Sequence, residues 1–220
     1  MIKKYWKEFF IFLILFVSCG LDEIIYLEPP DVTNSKTHLP GSTLDVSKMV
    51  MEFKTTDVLN NSVASGYFKG FNVYYLIYKS KATAESEKNA IESYNRNNPT
   101  GSCKWLQESK KYSRLGSSPL ISATGTDRNI KIRMYDFAGS PPENQGLYIN
   151  SIRQGSVVRA NGKGFFEDQI LSGDTDIFNE TIATPEYWAN FFAVTYGLDQ
   201  NFTLIYSELK YLGTIKLEPN

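Results

Sequence analysis

GYFKGFNVYYLIYKS occupies residues 66–80. Within it Phe71, Val73, Tyr75 and Ile77 fall at alternate positions, and Tyr74, Leu76 and Tyr78 fill the positions between. An extended strand sends successive side chains to opposite faces, so both faces of this strand are apolar. Such a strand belongs in the middle of a sheet with a packed layer on each side. The whole chain shares the character, with 14 Tyr and 14 Phe in 220 residues. Aromatic side chains fit pleated, buried surfaces, so a β core is expected, with an aromatic ligand groove as the alternative use of those rings.

Working outward, residues 45–57, DVSKMVMEFKTTD, alternate Met49, Met51 and Phe53 with Lys48, Val50 and Glu52 and read as a strand. Residues 129–137, NIKIRMYDF, alternate Ile130, Ile132 and Met134 with Lys131 and Arg133. PLISA (119–123) is a short strand, while GLYINSI (146–152) and SVVRAN (156–161) flank Gln154-Gly155, read as a hairpin turn. Residues 187–218 hold two more strands joined by a turn at 198–202.

The texture differs in residues 80–98, SKATAESEKNAIESYNRNN, which read as an amphipathic helix packing through Ala84, Ala90, Ile91 and Tyr94. A second short helix is expected in CKWLQESKKYSRL (103–115), with Trp105, Leu106 and Leu115 inward and Ser102 as its cap.

At the other extreme, MIKKYWKEFFIFLILFVSCG (1–20) combines Lys3, Lys4 and Lys7 with an apolar run from Phe9 to Val17. That run is too short for a bilayer-spanning helix, which needs about 20 apolar residues, and suits the hydrophobic region of an export signal. Phe16-Val17-Ser18-Cys19 resembles a bacterial lipobox, in its relaxed spirochaete form because Phe16 stands where Leu is usual. The resemblance implies cleavage before Cys19 and attachment of acyl chains to it, each buried methylene contributing about 0.8 kcal/mol to membrane binding. The expected organisation is a lipoprotein signal peptide over 1–18, a lipidated Cys19 with a tether and first edge strand over 19–43, and a β-sandwich domain over 44–220. Removing 1–18 takes away Lys3, Lys4, Lys7 and Glu8, a net +2, so the formal charge moves from −1 to −3. No basic footprint for nucleic acid exists at that balance, and membrane contact is expected to run through the lipid alone. The expected location is a bacterial cell envelope. With Cys19 lipidated, Cys103 is an unpaired structural thiol.

LEPPDVT (27–33), GFNVYYLIYKS (70–80) and FFAVTYGLDQNFTLIYSELKYLG (191–213) together resemble the first, third and last two strands of a fibronectin type III domain. Tyr206-Ser207-Glu208 sits at the family's Ser-rich bend. The resemblance implies a mainly β, antiparallel immunoglobulin or fibronectin type III-like sandwich with Greek-key connections and no particular activity. Residues 80–185 exceed the family's middle section, so they are expected to be a long α-containing insertion that also holds the remaining strands.

Chemistry-bearing residues are few. The single histidine, His38, lies in a proline-flanked segment, away from any cleft a Ser-His or Cys-His hydrolase would need. No set of His and Cys ligands for zinc exists. The segment EDQILSGDTDIFNE (167–180) places Asp174 and Asp176 at the first spacing of a calcium loop, with Glu180 beyond, although the glycine and distant glutamate of that loop are missing. The alternative is a solvated acidic loop. No catalytic residue and no cofactor is expected. The expected role is a non-enzymatic module binding an unidentified protein or glycan. A carboxylate-dependent envelope hydrolase acting on glycan is the alternative, resting on the acidic loop and on the GYFKGF aromatics as the lining of a sugar cleft.

Overall fold

The computed structural model of the chain describes residues 25–32, 49–116 and 118–219. The expected signal peptide over 1–18, Cys19 and His38 lie outside the described residues. The fold is mainly antiparallel β, in two sheets. One sheet has the order β1–β5–β6–β7, formed by β1 (Val50–Lys54), β5 (Asn129–Arg133), β6 (Gly146–Ile149) and β7 (Ile152–Gly155). The second has the order β10–β8–β2–β3, formed by β10 (Lys210–Lys216), β8 (Trp188–Leu198), β2 (Phe68–Tyr78) and β3 (Ser113–Arg114). Two short strands complete it: β4 (Ile121–Ser122) pairs with β2, and β9 (Leu204–Tyr206) pairs with β8.

The two apolar faces of β2 decide the layering. Phe71, Val73, Tyr75 and Ile77 meet Met49, Met51, Phe53, Ile130 and Ile132 of the first sheet in one core. Tyr74, Leu76 and Tyr78 turn the other way, into a second core with Ile91, Cys103 and Leu106. Strand β8 repeats the division, with Ala189, Phe191 and Ala193 between the sheets and Trp188, Phe192 and Val194 on the helical side. The molecule therefore has three layers: sheet, sheet and helices. Each fully buried aromatic or aliphatic side chain contributes about 1.5–3 kcal/mol, which makes β2 the largest single contributor.

Three α-helices occur among the described residues: α1 (Asp57–Val63), α2 (Lys81–Asn97) and α3 (Ser102–Glu108). Ser80 starts α2, its hydroxyl accepting the Thr83 amide at 3.1 Å. Asn98-Pro99 stops it, because a residue before proline is forced out of the helical region. The long span 80–185 supplies both α2 and α3 and also β3 to β7, so it carries three of the four strands of the first sheet.

Several local expectations need correction. Ala90 is exposed, and the inner position is taken by Asn95, whose side-chain amide pairs with the backbone of Leu209 (Nδ2 to O 3.0 Å, N to Oδ1 2.9 Å). Leu209 lies where β9 and β10 are interrupted, so a polar helix residue satisfies backbone groups that the sheet leaves open. Ser102 is not a cap: it is inside α3 and donates to Asn95 Oδ1 at 2.7 Å, with Gly101 in the cap position. The β6–β7 turn is at Asn150-Ser151, both at positive φ (48° and 67°), as a type I′ hairpin requires. Gln154-Gly155 lies within β7, and SVVRAN forms no strand. Of the expected tether and first edge strand, the described residues 25–32 show one bridge, Asp31 with Lys54, and a docked Leu27, 1% exposed.

Candidate functional site

The loop after β7 enters the space between the sheets. Phe165 packs edge-on against Tyr75 with ring centres 4.8 Å apart, and Ile177 forms a parallel bridge with Ile77 of β2. Between these contacts lies Arg159, 1% exposed. Its Nη2 donates to Asp176 Oδ1 at 2.5 Å and to Asp174 Oδ2 at 2.7 Å, its Nε to Asp176 Oδ2 at 3.0 Å, and its Nη1 to the Gln169 carbonyl at 3.2 Å. The Tyr75 hydroxyl donates to Asp176 Oδ2 at 2.6 Å and accepts the Ala160 amide. Lys163 Nζ reaches Asp174 Oδ1 at 3.2 Å.

The charges in this cluster are therefore matched inside the protein. Burial alone would raise the Asp174 carboxyl, but the Leu171 amide, Arg159 and Lys163 outweigh it and hold the group at about 2. The Tyr75 hydroxyl is pushed well above its usual range by burial and then by Asp176. Asp174 stays ionised across the physiological range and does not serve there as a proton donor.

Asp174 and Asp176 are thus brought together, but around a guanidinium rather than a cation site. Glu180 is engaged elsewhere: its Oε1 accepts the Lys79 amide and its Oε2 the Thr83 hydroxyl, at 2.5 and 2.6 Å. Among the described residues no group of three His, Cys, Asp or Glu side chains is placed to hold a metal ion. The solvated reading of this loop is corrected at Asp176, which is 2% exposed, while Leu171, Ser172, Gly173, Thr175 and Asn179 are exposed. Sequence reasoning misses Arg159 because its partners lie 15 and 17 residues away. The available signal is an arginine inside the apolar run SVVRAN.

Of the GYFKGF aromatics, Phe68 and Phe71 are buried in the inter-sheet core and Tyr67 is half-buried against it. A cleft of about 550 Å³ does open beside Tyr135, Asp136, Gln145, Arg153 and Phe166. Its Arg153 donates from Nε and Nη2 to the Gln145 carbonyl, and Asp136 accepts the Gln145 amide, so these two charges hold the loop itself.

On the helical face, Tyr112 is buried and its hydroxyl lies 2.9 Å from that of Tyr78. Trp105 is half-buried, stacked on Tyr94 with ring centres 4.1 Å apart and with Lys110 Nζ 5.3 Å from its ring. Cys103 is buried beneath them, and burial pushes its thiol up to about 12. The two helices are a covering layer on the sheet, with one aromatic pair at its rim.

Helix α1 is absent from the sequence expectations. Its inner side is polar: Asp57 accepts the Thr124 amide at 2.7 Å and Arg128 Nη2 at 3.1 Å, and Asn60 pairs with the backbone of Glu28. Comparison with known proteins finds no matching family model, no curated protein and no solved structure. Among the described residues no helix is long and apolar enough to cross a membrane.

Proposed function

We propose that the chain is a lipid-anchored protein of a bacterial cell envelope, with a non-catalytic binding module of fibronectin type III-like build as its ordered domain. One observation carries this reading: the basic, then apolar, then small-residue run of 1–18 ends at Cys19, six residues before Ile25, where the described domain begins. The strand order supports the fold type. In immunoglobulin-type sandwiches strands A, B and E share one sheet and C, F and G the other. Asp31, β1 and β5 follow the first order, and β2, β8 and β10 the second, with β6 and β7 as additions to the first sheet. The ligand class is protein or glycan. The acidic loop, which motivates a glycan hydrolase, is bound up with Arg159 and lends that reading no support.

Detergent partitioning with acyl-chain labelling tests the anchor. The wild-type protein is expected in the detergent phase carrying label, and Cys19→Ala in the aqueous phase without it. A Cys19→Ala protein that keeps its signal and stays in detergent refutes the lipoprotein reading. Capture of envelope or host components by residues 20–220 then tests binding.

A further inference from the structure

Eight large hydrophobic side chains stand exposed among the described residues, and six of them occupy one end of the domain. Helix α1 presents Val58, Leu59 and Val63 at 51%, 53% and 54% exposure. Phe202 in the β8–β9 turn and Leu204 at the start of β9 are 78% and 54% exposed, and Ile152 at the start of β7 is 68% exposed. Backbone bonds fix their common location. The Ala64 carbonyl accepts the Tyr67 amide, and the Tyr67 carbonyl accepts the Leu198 amide, joining α1 to the end of β8. The Asn150 amide reaches Asn129, which faces Lys54 just ahead of α1. Scattered surface hydrophobics are ordinary, but six gathered at one end mark an interaction surface.

The polarity of α1 is inverted. Asp57 and Asn60 face inward, fully buried and hydrogen-bonded, while its apolar side chains face out. Three acids at this end are engaged. Asp57 is on Arg128, Asp127 is on Lys54 and the Val58 amide, and Asp199 accepts the Asn201 and Thr203 amides. Phe202 sits at φ 59°, a conformation that Gly or Asn adopts with less strain. An outward aromatic kept there is the kind of outlier associated with function.

We infer that this end of the domain rests on the bilayer, its six apolar side chains entering the headgroup boundary by about 5–10 Å, as interfacial helices do. The inference rests on the lipid-anchor reading and adds a second membrane contact to the one expected through the lipid. The tether selects a bilayer over a protein partner. Five residues, 20–24, lie between Cys19 and Ile25, a reach of at most about 20 Å. Only three residues further on, Glu28 already contacts Asn60 of α1. A domain near this size has a radius of gyration of about 16 Å, so an anchor on that tether holds the α1 end close to the surface. Lys54, its side chain 52% exposed and paired with Asp127 at 3.6 Å, and Lys69, whose Nζ donates to the Gly66 carbonyl, stand beside the patch.

The test uses the full-length lipidated protein in phosphatidylcholine–phosphatidylglycerol vesicles. A polarity-sensitive thiol dye is placed by Val63→Cys, Ile152→Cys or Phe202→Cys, with Lys104→Cys on the outer side of α3 as control. Buried Cys103 does not compete for the dye under native conditions. Dyes at 63, 152 and 202 are expected to shift to the blue and to be quenched by nitroxide-labelled acyl chains, and the dye at 104 to do neither. Protein that floats with the vesicles while all four dyes stay unshifted overturns the inference and leaves the anchor standing. A blue shift that follows protein concentration and ignores vesicles assigns the patch to a second copy and overturns it as well. Protein that fails to float removes the anchor, and the inference falls with it.

Discussion

Arg159 and Asp176 face each other fork to fork beneath the surface, Nη2 2.5 Å from Oδ1 and Nε 3.0 Å from Oδ2, with side chains 0% and 2% exposed. Two charges in that setting are tolerable only together. Removing Arg159 leaves Asp176 buried without a counter-charge, and removing Asp176 leaves the buried Arg159 with Asp174 as its one remaining carboxylate here. Arg159→Met or Asp176→Leu alone should therefore cost about 3–5 kcal/mol. The double variant should cost clearly less than the sum, because the sites share one interaction. Urea unfolding of the four proteins measures this; additive losses would show that the pair is not coupled.

Asp174, on the same guanidinium, makes stability depend on acid. Its folded carboxyl lies at about 2 against an ordinary 3.8, since the Leu171 amide, Arg159 and Lys163 overcome the upward pull of burial. A depressed carboxyl contributes stability that is complete above its unfolded value and lost as pH falls through the folded one. Wild-type stability should thus drop between about pH 4 and about pH 2. Asp174→Asn should be less stable near neutrality and flatter across that window. Urea midpoints at several pH values decide it, and parallel profiles for the two proteins would count against the assignment.

The thiol of Cys103 should be silent in the native protein. Burial pushes it up to about 12, and it lies on the buried face of α3, in the core between the helices and the sheet. A maleimide reagent should label it only after denaturation. The chain has two cysteines, so the denatured count also reads the N-terminus. Protein from its native membrane should yield one free thiol if Cys19 carries lipid through its sulfur, and two if it does not.

The central strands were legible because a period of two on both faces has few other uses. Phe71 through Tyr78 pack as that pattern requires, one set between the sheets and one under the helices. What escaped depends on partners distant in sequence. Asn95 looks like a surface residue of an Ala-rich helix, yet it is buried because its partner, the Leu209 backbone, lies 114 residues away. Helix α1 was hidden by its own chemistry, since polar residues face in and apolar ones out. For the β6–β7 turn, glycine at 155 attracts attention, but the left-handed residues are Asn150 and Ser151. The acidic loop could be read as acidic and no further, because Arg159 shares no local motif with it.

The covering layer predicts unequal roles for two aromatics. Tyr112 is buried against Phe192, with ring centres 5.7 Å apart, and its hydroxyl meets that of Tyr78. Tyr112→Ala should cost about 3–5 kcal/mol, and Tyr112→Phe about 1 kcal/mol for the lost hydroxyl contact. Trp105 is half-buried, so Trp105→Ala should cost only about 1–2 kcal/mol for its stack on Tyr94. Thermal melts rank the three variants. A Trp105→Ala protein that unfolds as readily as Tyr112→Ala would make the rim pair part of the core.

Gly70 is the position where β2 tolerates no side chain. Its φ is 138°, and an added Cβ would stand 2.1 Å from the Ile121 carbonyl oxygen and 3.0 Å from the Ala123 amide. Both are backbone atoms of the β4 segment, which Gly70 meets in register with Ser122, beside the irregularity between Phe68 and Gly70 in the β2–β8 pairing. Backbone of a paired segment cannot swing aside as a flexible side chain does. Gly70→Ala must either displace β4 or twist β2, on top of a backbone strain of about 1–3 kcal/mol. A loss above about 2 kcal/mol is expected, with β4 the first part to detach. Gly125 provides the contrast, because a Cβ there meets nothing within 4 Å. Gly125→Ala should be neutral or gain up to about 1 kcal/mol through the unfolded state. Denaturant midpoints of the two variants, with hydrogen exchange at the Ala123 amide, which donates to the Lys69 carbonyl at 3.0 Å, test the account. Equal midpoints, or an Ala123 amide that stays protected in Gly70→Ala, would show that the strands yield without parting.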